Sequence, residues 1–280
     1  MFRIVSKSVL NPSVVRMEIK APFTAAKALP GQFVIYRIDE QGERVPLTIA
    51  DYDREKGTIT LIFQIVGVST IRLSKLEVGD RLLDLAGPLG MPTKIPEGAK
   101  RVCVIGGGVG CAIAYPQAKK LFHDGLEVDV IAGFRNKDIV ILEDEFRANS
   151  SNLFICTDDG SYGRKGFVTD MLKERIESGV QYDCVIAIGP IPMMKFVSKL
   201  TKEYGIKTIV SLNPVMVDGT GMCGGCRVTV GGKIRYACVE GPDFDGHEVD
   251  FDELMYRNGV FREREADCRM IAQADSKEGK

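Results

Sequence analysis

The spacing of apolar residues changes twice along the chain. Up to about residue 95, short runs rich in β-branched and aromatic residues alternate with turns, as in residues 32–38 and 58–66. No long helical pattern separates these runs, which is typical of an antiparallel barrel. Residues 87–92 hold Gly and Pro and mark a linker. We therefore predict an N-terminal antiparallel barrel over residues 1–95.

Strand and helix patterns alternate from residue 96 to residue 212. Continuous apolar runs such as residues 101–105 are typical of strands that are buried on both faces of a parallel sheet. Helical patterns, for example at residues 111–122 and 193–204, lie between these runs. The alternation predicts a doubly wound, nucleotide-binding α/β domain.

The pattern breaks again after residue 212. Glycines and cysteines concentrate in residues 213–238, and a stretch that mixes charges with scattered large apolar residues follows. We predict a small iron–sulfur module over residues 213–280. Its C-terminal stretch is too apolar to stay solvated, so we expect it to pack on this chain or on a partner.

Charge and composition exclude several classes of function. Lys and Arg total 37 against 38 Asp and Glu, so there is no long-range attraction for nucleic acid. No segment approaches the roughly 20 apolar residues that cross a membrane. Charges interrupt residues 1–9 where a signal peptide would be apolar, and we expect a cytoplasmic protein. Its eight cysteines are then core residues or metal ligands rather than disulfides.

The most specific chemical signal is the spacing of Asp218, Cys223, Cys226 and Cys238. Plant-type 2Fe–2S loops follow Cys-x4-Cys-x2-Cys with a distant fourth Cys, and here Asp218 takes the first place. A carboxylate is a harder ligand than a thiolate and still binds ferric iron. We predict a 2Fe–2S cluster held by these four residues.

Two alternatives for this segment stay open. A zinc ribbon uses the same Cys-x2-Cys spacing. Alternatively, Asp218 only forms a turn, and water or another thiol completes the metal site.

A glycine turn follows the strand at residues 101–105 and opens a helix, a context that presents backbone N–H groups to phosphate. Cys111 stands where the third glycine of the dinucleotide fingerprint would be, so an ordinary tight turn is the alternative. The predicted nucleotide contacts in this turn are Gly106, Gly107, Gly108, Val109 and Gly110.

Two later turns also follow predicted strands, where ligands of open α/β sheets bind. One contains Asp158 and Asp159, which would repel a 2′-phosphate and accept from a ribose hydroxyl. This favours NAD(H) over NADP, with a solvated turn as the alternative. The other turn contributes Gly189, Pro190 and Met193.

Flavin contacts are predicted in the barrel, where two segments combine backbone donors with a hydroxyl group. Simple strand ends are the alternative for both segments. The predicted FAD contacts are Val45, Pro46, Leu47, Thr48, Ile62, Phe63, Gly67, Ser69 and Thr70.

In this order, the motifs resemble the ferredoxin–NADP reductase superfamily over nearly the whole chain. The C-terminal cysteines narrow the resemblance to electron-transfer subunits of NAD-dependent dihydroorotate dehydrogenase. Asp218 and residues 241–255 are most similar to the small subunits of NADH-dependent reduced ferredoxin:NADP oxidoreductases, also described as sulfide dehydrogenase subunits.

The superfamily's flavin motif is Arg-x-Tyr-Ser/Thr, from which this chain departs. Val45 and Leu47 take the Arg and Tyr places, and Thr48 keeps its place near flavin N5. Arg44, displaced by one residue, is the candidate that the resemblance offers for the flavin pyrophosphate. The resemblance implies electron transfer between NAD(H), FAD and the cluster, and electron bifurcation with a partner. That partner is a larger flavin and iron–sulfur subunit in a hetero-oligomer, through which ferredoxin and NADP are reached.

Hydride transfer between nicotinamide and flavin needs positioning rather than a protein acid or base, so no catalytic residue is assigned. His247 is expected to be a packing residue. One alternative function is the electron-transfer subunit of a true dihydroorotate dehydrogenase. Another is a zinc-stabilised, nucleotide-binding regulator without redox activity.

Overall fold

The computed structural model describes residues 1–260. Its N-terminal part consists of strands with two short helices. These elements are β1 (Phe2–Asn11), β2 (Val14–Lys20), α1 (Pro22–Lys27), β3 (Phe33–Arg37), β4 (Val45–Asp53), β5 (Thr58–Gln64), α2 (Val68–Ser74), β6 (Arg81–Leu82) and β7 (Asp84–Leu89).

These strands form one antiparallel sheet in the order β6-β1-β2-β5-β4-β3-β7. The two edge strands, β6 and β7, are separated in the chain by Leu83 alone. The sheet therefore has to curl until its edges meet, which gives the predicted, nearly closed barrel. Alternate residues point inward, and Met17, Val34, Tyr36 and Leu61 are fully buried in its core.

The next part alternates strands with helices, as predicted. Its elements are β8 (Arg101–Gly107), α3 (Gly110–His123), β9 (Glu127–Phe134), a 3₁₀ turn (Lys137–Ile139), α4 (Glu143–Ala148), β10 (Asn152–Thr157), β11 (Arg164–Lys165), α5 (Val168–Glu177), β12 (Cys184–Ile188), α6 (Ile191–Glu203) and β13 (Thr208–Ser211).

The C-terminal elements are short. They are β14 (Arg227–Val230), β15 (Lys233–Tyr236), α7 (Ala237–Glu240), β16 (Asp243–Asp245) and α8 (Phe251–Gly259).

The second sheet has the order β11-β10-β9-β8-β12-β13-β16, and all of its pairs are parallel except β13 with β16. The chain moves outward from β8 in both directions, through β9 on one side and β12 on the other. Ligands of doubly wound sheets bind at the carboxyl ends of the strands at such a switch point. The predicted doubly wound domain is confirmed.

The C-terminal part adds a strand to the second sheet and packs against the core of the α/β domain. Strand β16 pairs with β13, and Phe251 and Leu254 of α8 are buried in the core of the α/β domain. Residues 243–259 thus pack on this chain, one of the two places predicted for them. Cys268, which is not among the predicted cluster ligands, lies outside the described residues. The domain boundaries at residues 95 and 212 remain predictions.

Two ion pairs and a shared core join the barrel to the α/β domain. Arg16 contacts Glu145 at 2.6 Å, and Lys119 contacts Asp51 at 2.7 Å. Ile62 of the barrel is buried in one cluster with residues of α3. Within residues 1–260, no helix is both long and apolar enough to span a membrane.

Candidate functional site

A cavity of about 1190 Å³ lies between the barrel and the carboxyl ends of β8, β9, β10 and β12. We call it the nucleotide cleft. The predicted nucleotide residues that line it are Gly107, Gly108, Val109, Gly110, Asp158, Gly189, Pro190 and Met193. The structure therefore brings together three turns that are far apart in the sequence.

Gly106 is absent from this lining because it serves helix packing. A Cβ on Gly106 would lie 2.7 Å from the Cys111 sulfur, and Cys111 is fully buried. The fingerprint's third glycine normally provides this close approach of helix to strand. Here the glycine is on the strand and the larger residue is on the helix, which explains why Cys111 is tolerated.

Gly110 permits the other close approach at the start of α3. A Cβ there would lie 2.5 Å from the carbonyl oxygen of Ile188, at the end of β12. Only glycine lets the start of α3 approach the end of β12 this closely. The N-terminus of α3 consequently opens into the cleft, where the positive end of the helix dipole would stabilise a phosphate group.

Sequence reasoning missed several residues of the cleft. Arg135 and Asn136 follow β9, and Phe167 and Phe196 line the cleft with 64% and 60% of their surface exposed. The end of the second parallel strand is where dinucleotide-binding folds place a ribose ligand, so the position of Arg135 was a usable signal. Asp159 does not line the cleft, and its carboxylate accepts from the Ser161 N–H at 2.9 Å.

The flavin strand β4 has two unlike faces. Val45 lies opposite Tyr36 and Leu47 opposite Val34 on β3, so these side chains pack toward the barrel core. Pro46 and Thr48 consequently point outward, since side chains alternate along a strand. The side chains of Val45 and Leu47 thus do not replace the superfamily's Arg and Tyr.

The remaining flavin candidates have different surroundings. Phe63 is buried in the barrel core and Ile62 in the interface with the α/β domain, which leaves only their backbone for a ligand. The Thr70 hydroxyl accepts from the Gly67 N–H at 3.1 Å and caps α2, while Ser69 donates to Glu43.

The outer face of the barrel still fits a flavin. Nothing lies within 4 Å of the position that a Cβ on Gly67 would take, so this backbone is open to a ligand. The Thr48 hydroxyl on β4, which points outward, supplies a hydrogen-bonding group. The FAD contacts therefore remain predictions.

The four predicted cluster ligands form two pairs. The Cys223 sulfur lies 3.3 Å from Asp218 Oδ1, and the Cys226 sulfur lies 3.1 Å from the Cys238 sulfur. In a 2Fe–2S cluster, two tetrahedral irons share two sulfides, so each iron needs two protein ligands. Two pairs match this requirement. We call residues 218–226 the cluster loop.

Backbone N–H groups stabilise the anionic forms of these ligands. Thr220, Met222 and Cys223 donate to the Asp218 carboxylate, and these bonds, that of Thr220 above all, lower the pKa of Asp218 to about 2. The N–H of Gly225 points at the Cys223 sulfur, and that of Cys238 at the Cys226 sulfur. Such donors tune iron–sulfur sites.

The second pair consists of neutral thiols as long as no metal is bound. Burial, together with the neighbouring Cys226, raises the pKa of Cys238 to about 12. Two thiolates at this separation repel each other unless a cation lies between them. A bound metal ion would supply that cation, and the two thiolates would hold it. Within residues 1–260 the candidate ligands come together only in pairs, and no group of three or more surrounds one point.

The cluster loop rests on the outer face of the barrel. Gly219 has φ +76°, and a Cβ there would lie 2.6 Å from Ile35 Cδ1. Phe33 and Ile35 of β3 share a small core with Cys226 and Cys238. Ile35 lies directly opposite Pro46, so the cluster loop and the flavin strand are neighbours across β3.

Two further sequence candidates have structural roles. Arg44, considered for a flavin pyrophosphate, instead donates to the carbonyl oxygens of Val217 and Asp218. His247 shares a 3.0 Å hydrogen bond with Thr201 of α6 and anchors the C-terminal segment, in keeping with a packing residue.

Known proteins are similar to the C-terminal part and to most of the chain. Residues 213–250 match the iron-sulfur cluster binding domain of dihydroorotate dehydrogenase B. The chain is 46% identical, over 94% of its length and 92% of the relative's, to the dihydroorotate dehydrogenase B (NAD(+)) electron transfer subunit homolog of Thermotoga maritima. It is also 34% identical to the dihydroorotate dehydrogenase B (NAD(+)) electron transfer subunit of Fusobacterium nucleatum. That match covers 85% of this chain and 93% of the relative.

One solved structure is similar across almost the whole chain. It is that of the NADH-dependent reduced ferredoxin-NADP oxidoreductase, reported for insights into flavin-based electron bifurcation. Its TM-score is 0.91 at 44% identity, with 96% of this chain and 97% of that chain covered. The iron–sulfur match favours iron over zinc at the cluster loop. The chain belongs to the family of dihydroorotate dehydrogenase B electron transfer subunits and their homologues, as the sequence motifs predicted.

Proposed function

We propose that this chain moves electrons between NAD(H), FAD and a 2Fe–2S cluster within an electron-bifurcating, NADH-dependent ferredoxin:NADP oxidoreductase. The observation that carries the proposal is the pairing of Asp218 with Cys223 and of Cys226 with Cys238, beside the flavin strand. The 44% identity to the solved bifurcating oxidoreductase supports this choice within the family.

The nucleotide cleft would bind NAD(H) with its phosphates at the N-terminus of α3. Asp158 would accept from a ribose hydroxyl and repel a 2′-phosphate. The exposed ring of Phe167 offers a flat apolar surface for adenine. The nicotinamide would then lie near Gly189, where the cleft approaches the barrel. These residues orient the cofactor and exclude water, which is what hydride transfer requires.

When bound, FAD supplies an acceptor for the hydride of NADH and a donor of single electrons to the cluster. Pro46 and Thr48 would hold the flavin on the outer face of β4, and β3 separates them from the cluster loop. Asp218, Cys223, Cys226 and Cys238 would hold the cluster.

Apolar residues around the cluster loop favour a protein partner. They are Val217, Met222, Ile234 and Val239, which expose between 45% and 88% of their surface. Exposed apolar groups of this kind are typical of an interface. We propose a larger flavin and iron–sulfur subunit in a cytoplasmic hetero-oligomer, which would reach ferredoxin and NADP.

The second candidate is the electron-transfer subunit of a dihydroorotate dehydrogenase, which the relatives' names favour. Purification from the native host together with the bound partner separates the two. We expect the complex to reduce NADP with NADH and reduced ferredoxin. A complex that instead couples NAD to the oxidation of dihydroorotate would overturn the proposal.

A further inference from the structure

Arg44 carries a positive charge to the backbone of the cluster loop. Its Nε donates to the Val217 carbonyl oxygen at 3.2 Å, and its Nη2 donates to the Asp218 carbonyl oxygen at 3.5 Å. Among residues 1–260, no carboxylate oxygen lies within 4.0 Å of this guanidinium. Its charge is therefore not neutralised by an ion pair and faces the loop.

The position of Arg44 in the chain explains why this contact bears on electron transfer. Arg44 directly precedes Val45, the first residue of the flavin strand β4. One side chain thus connects the start of the flavin strand to Asp218, the first residue of the cluster loop. On the same face, Gly219 is seated against Ile35, the cross-strand neighbour of Pro46.

The charge has a predictable effect on a cluster held by this loop. A 2Fe–2S centre with four anionic ligands is negatively charged, and reduction adds one more negative charge. A nearby cation stabilises the reduced form more than the oxidised form, which raises the reduction potential. Because Arg44 is exposed to solvent, salt should weaken the effect.

We propose that Arg44 is a positioning residue, which ties the cluster loop to the flavin strand and raises the reduction potential of the cluster. The inference rests on the proposed function, because it requires that the loop carry a cluster. It assigns to Arg44 a role in electron transfer that differs from binding the flavin pyrophosphate.

The test is a redox titration of the 2Fe–2S signal in the complete chain, in wild type, Arg44→Gln and Arg44→Lys. The matched control is Arg54→Gln. Arg54 also donates to two backbone carbonyls, those of Ala26 and Ala28, but in a loop of the barrel. Gln keeps donors without charge, and Lys keeps the charge without the planar fork.

We expect Arg44→Gln to lower the reduced-to-oxidised ratio of the cluster by about three- to tenfold at a fixed ambient potential. A tenfold change corresponds to about 59 mV for a one-electron couple. The difference should shrink in high salt, and Arg44→Lys and Arg54→Gln should titrate like wild type. A purely structural contact would not produce this dependence on charge and salt.

Two results would overturn the inference. One is an Arg44→Gln protein that retains its cluster and the wild-type potential. The other is a reduction potential of the cluster in Arg44→Lys that is lower than in wild type. If Arg44→Gln loses its cluster, the measurement on Arg44→Lys alone decides. Wild-type protein without iron and sulfide would instead refute the proposed function itself.

Discussion

The nucleotide cleft is formed by the ends of buried parallel strands, whereas the cluster loop has only a small core of its own. In the cleft, glycines such as Gly110 are required by contacts within the chain. In the loop, Gly219, Gly221 and Gly224 have φ of +76°, +88° and +69° and turn the backbone around its ligands. We therefore expect the cleft to form without its ligand and the loop to gain stability from a bound metal.

The largest expected effect separates the two regions by removing one ligand. Cys226→Ser should abolish the cluster, because a buried sulfur of the second pair is lost. Affinity for NADH should stay within about twofold, since the cleft folds independently of the metal. Iron and sulfide analysis and NADH titration check this. Cys184→Ala, a buried cysteine outside the cluster loop, is the control and should keep its iron.

The next effect falls on the cleft alone. Gly110→Ala places a Cβ against the backbone of Ile188, so the start of α3 has to shift. We expect NADH to bind at least tenfold more weakly, about 1.4 kcal/mol, with the iron content unchanged. Gly179→Ala, at a position with φ +93° outside the cleft lining, is a strained glycine substitution that should lower stability but leave NADH affinity unchanged, and it controls for destabilisation alone. Unaltered NADH affinity in Gly110→Ala would contradict this account of the cleft.

A smaller effect concerns the choice of nucleotide. Asp158→Asn removes the charge that would repel a 2′-phosphate, so the preference for NADH over NADPH should narrow by about three- to tenfold. Rapid-mixing measurements of flavin reduction with both nucleotides test this. Asp159→Asn is the matched control, because Asp159 lies outside the cleft lining and should leave the preference unchanged.

The last effect is on folding stability rather than on ligand binding, and it lies where all three parts of the chain meet. One carboxylate oxygen of Asp243 in β16 accepts a hydrogen bond from Thr93 Oγ1 at 2.5 Å. Its other oxygen, Oδ1, is buried without a hydrogen-bond partner, and so are both polar side-chain atoms of Gln117. Burial raises the pKa of Asp243. The folded state thus holds this proton more tightly than the unfolded chain does.

The stability that this proton confers is complete below the unfolded pKa and is lost as pH rises through the raised pKa. Asp243→Asn mimics the protonated acid, so its free energy of unfolding should gain on wild type as pH increases. The gain is about 1.4 kcal/mol for each pH unit between the two pKa values. Denaturant unfolding at about pH 3.5, below the unfolded pKa, and at pH 8 measures it. A constant difference between the two proteins at both pH values would refute the role of this proton.

The comparison also shows what the sequence could predict. Apolar runs and turns were enough for the barrel and the parallel sheet, because both depend on local periodicity. The spacing from Asp218 to Cys238 was enough to select four candidate ligands, and the structure brings them together as two pairs. Strand β16 could not be foreseen, because three residues carry no periodicity and its pairing with β13 depends on the tertiary fold.

The flavin strand illustrates the same limit. Motif alignment put Val45 and Leu47 in the ligand places, but the register with β3 turns both side chains toward the barrel core. Arg44 was assessed as a pyrophosphate ligand because nothing local indicates its contact with residue 217. Long-range register and packing therefore decide which side chains of a motif remain available.

The central claim is that electrons from NADH reach the cluster through a flavin within this chain. Anaerobic titration of the isolated protein with NADH, followed by visible absorption and electron paramagnetic resonance, tests it most directly. We expect flavin bleaching together with the signal of a reduced 2Fe–2S cluster, and bleaching alone in Cys226→Ser. Protein with full iron and sulfide content whose cluster stays oxidised while NADH bleaches the flavin would contradict the account.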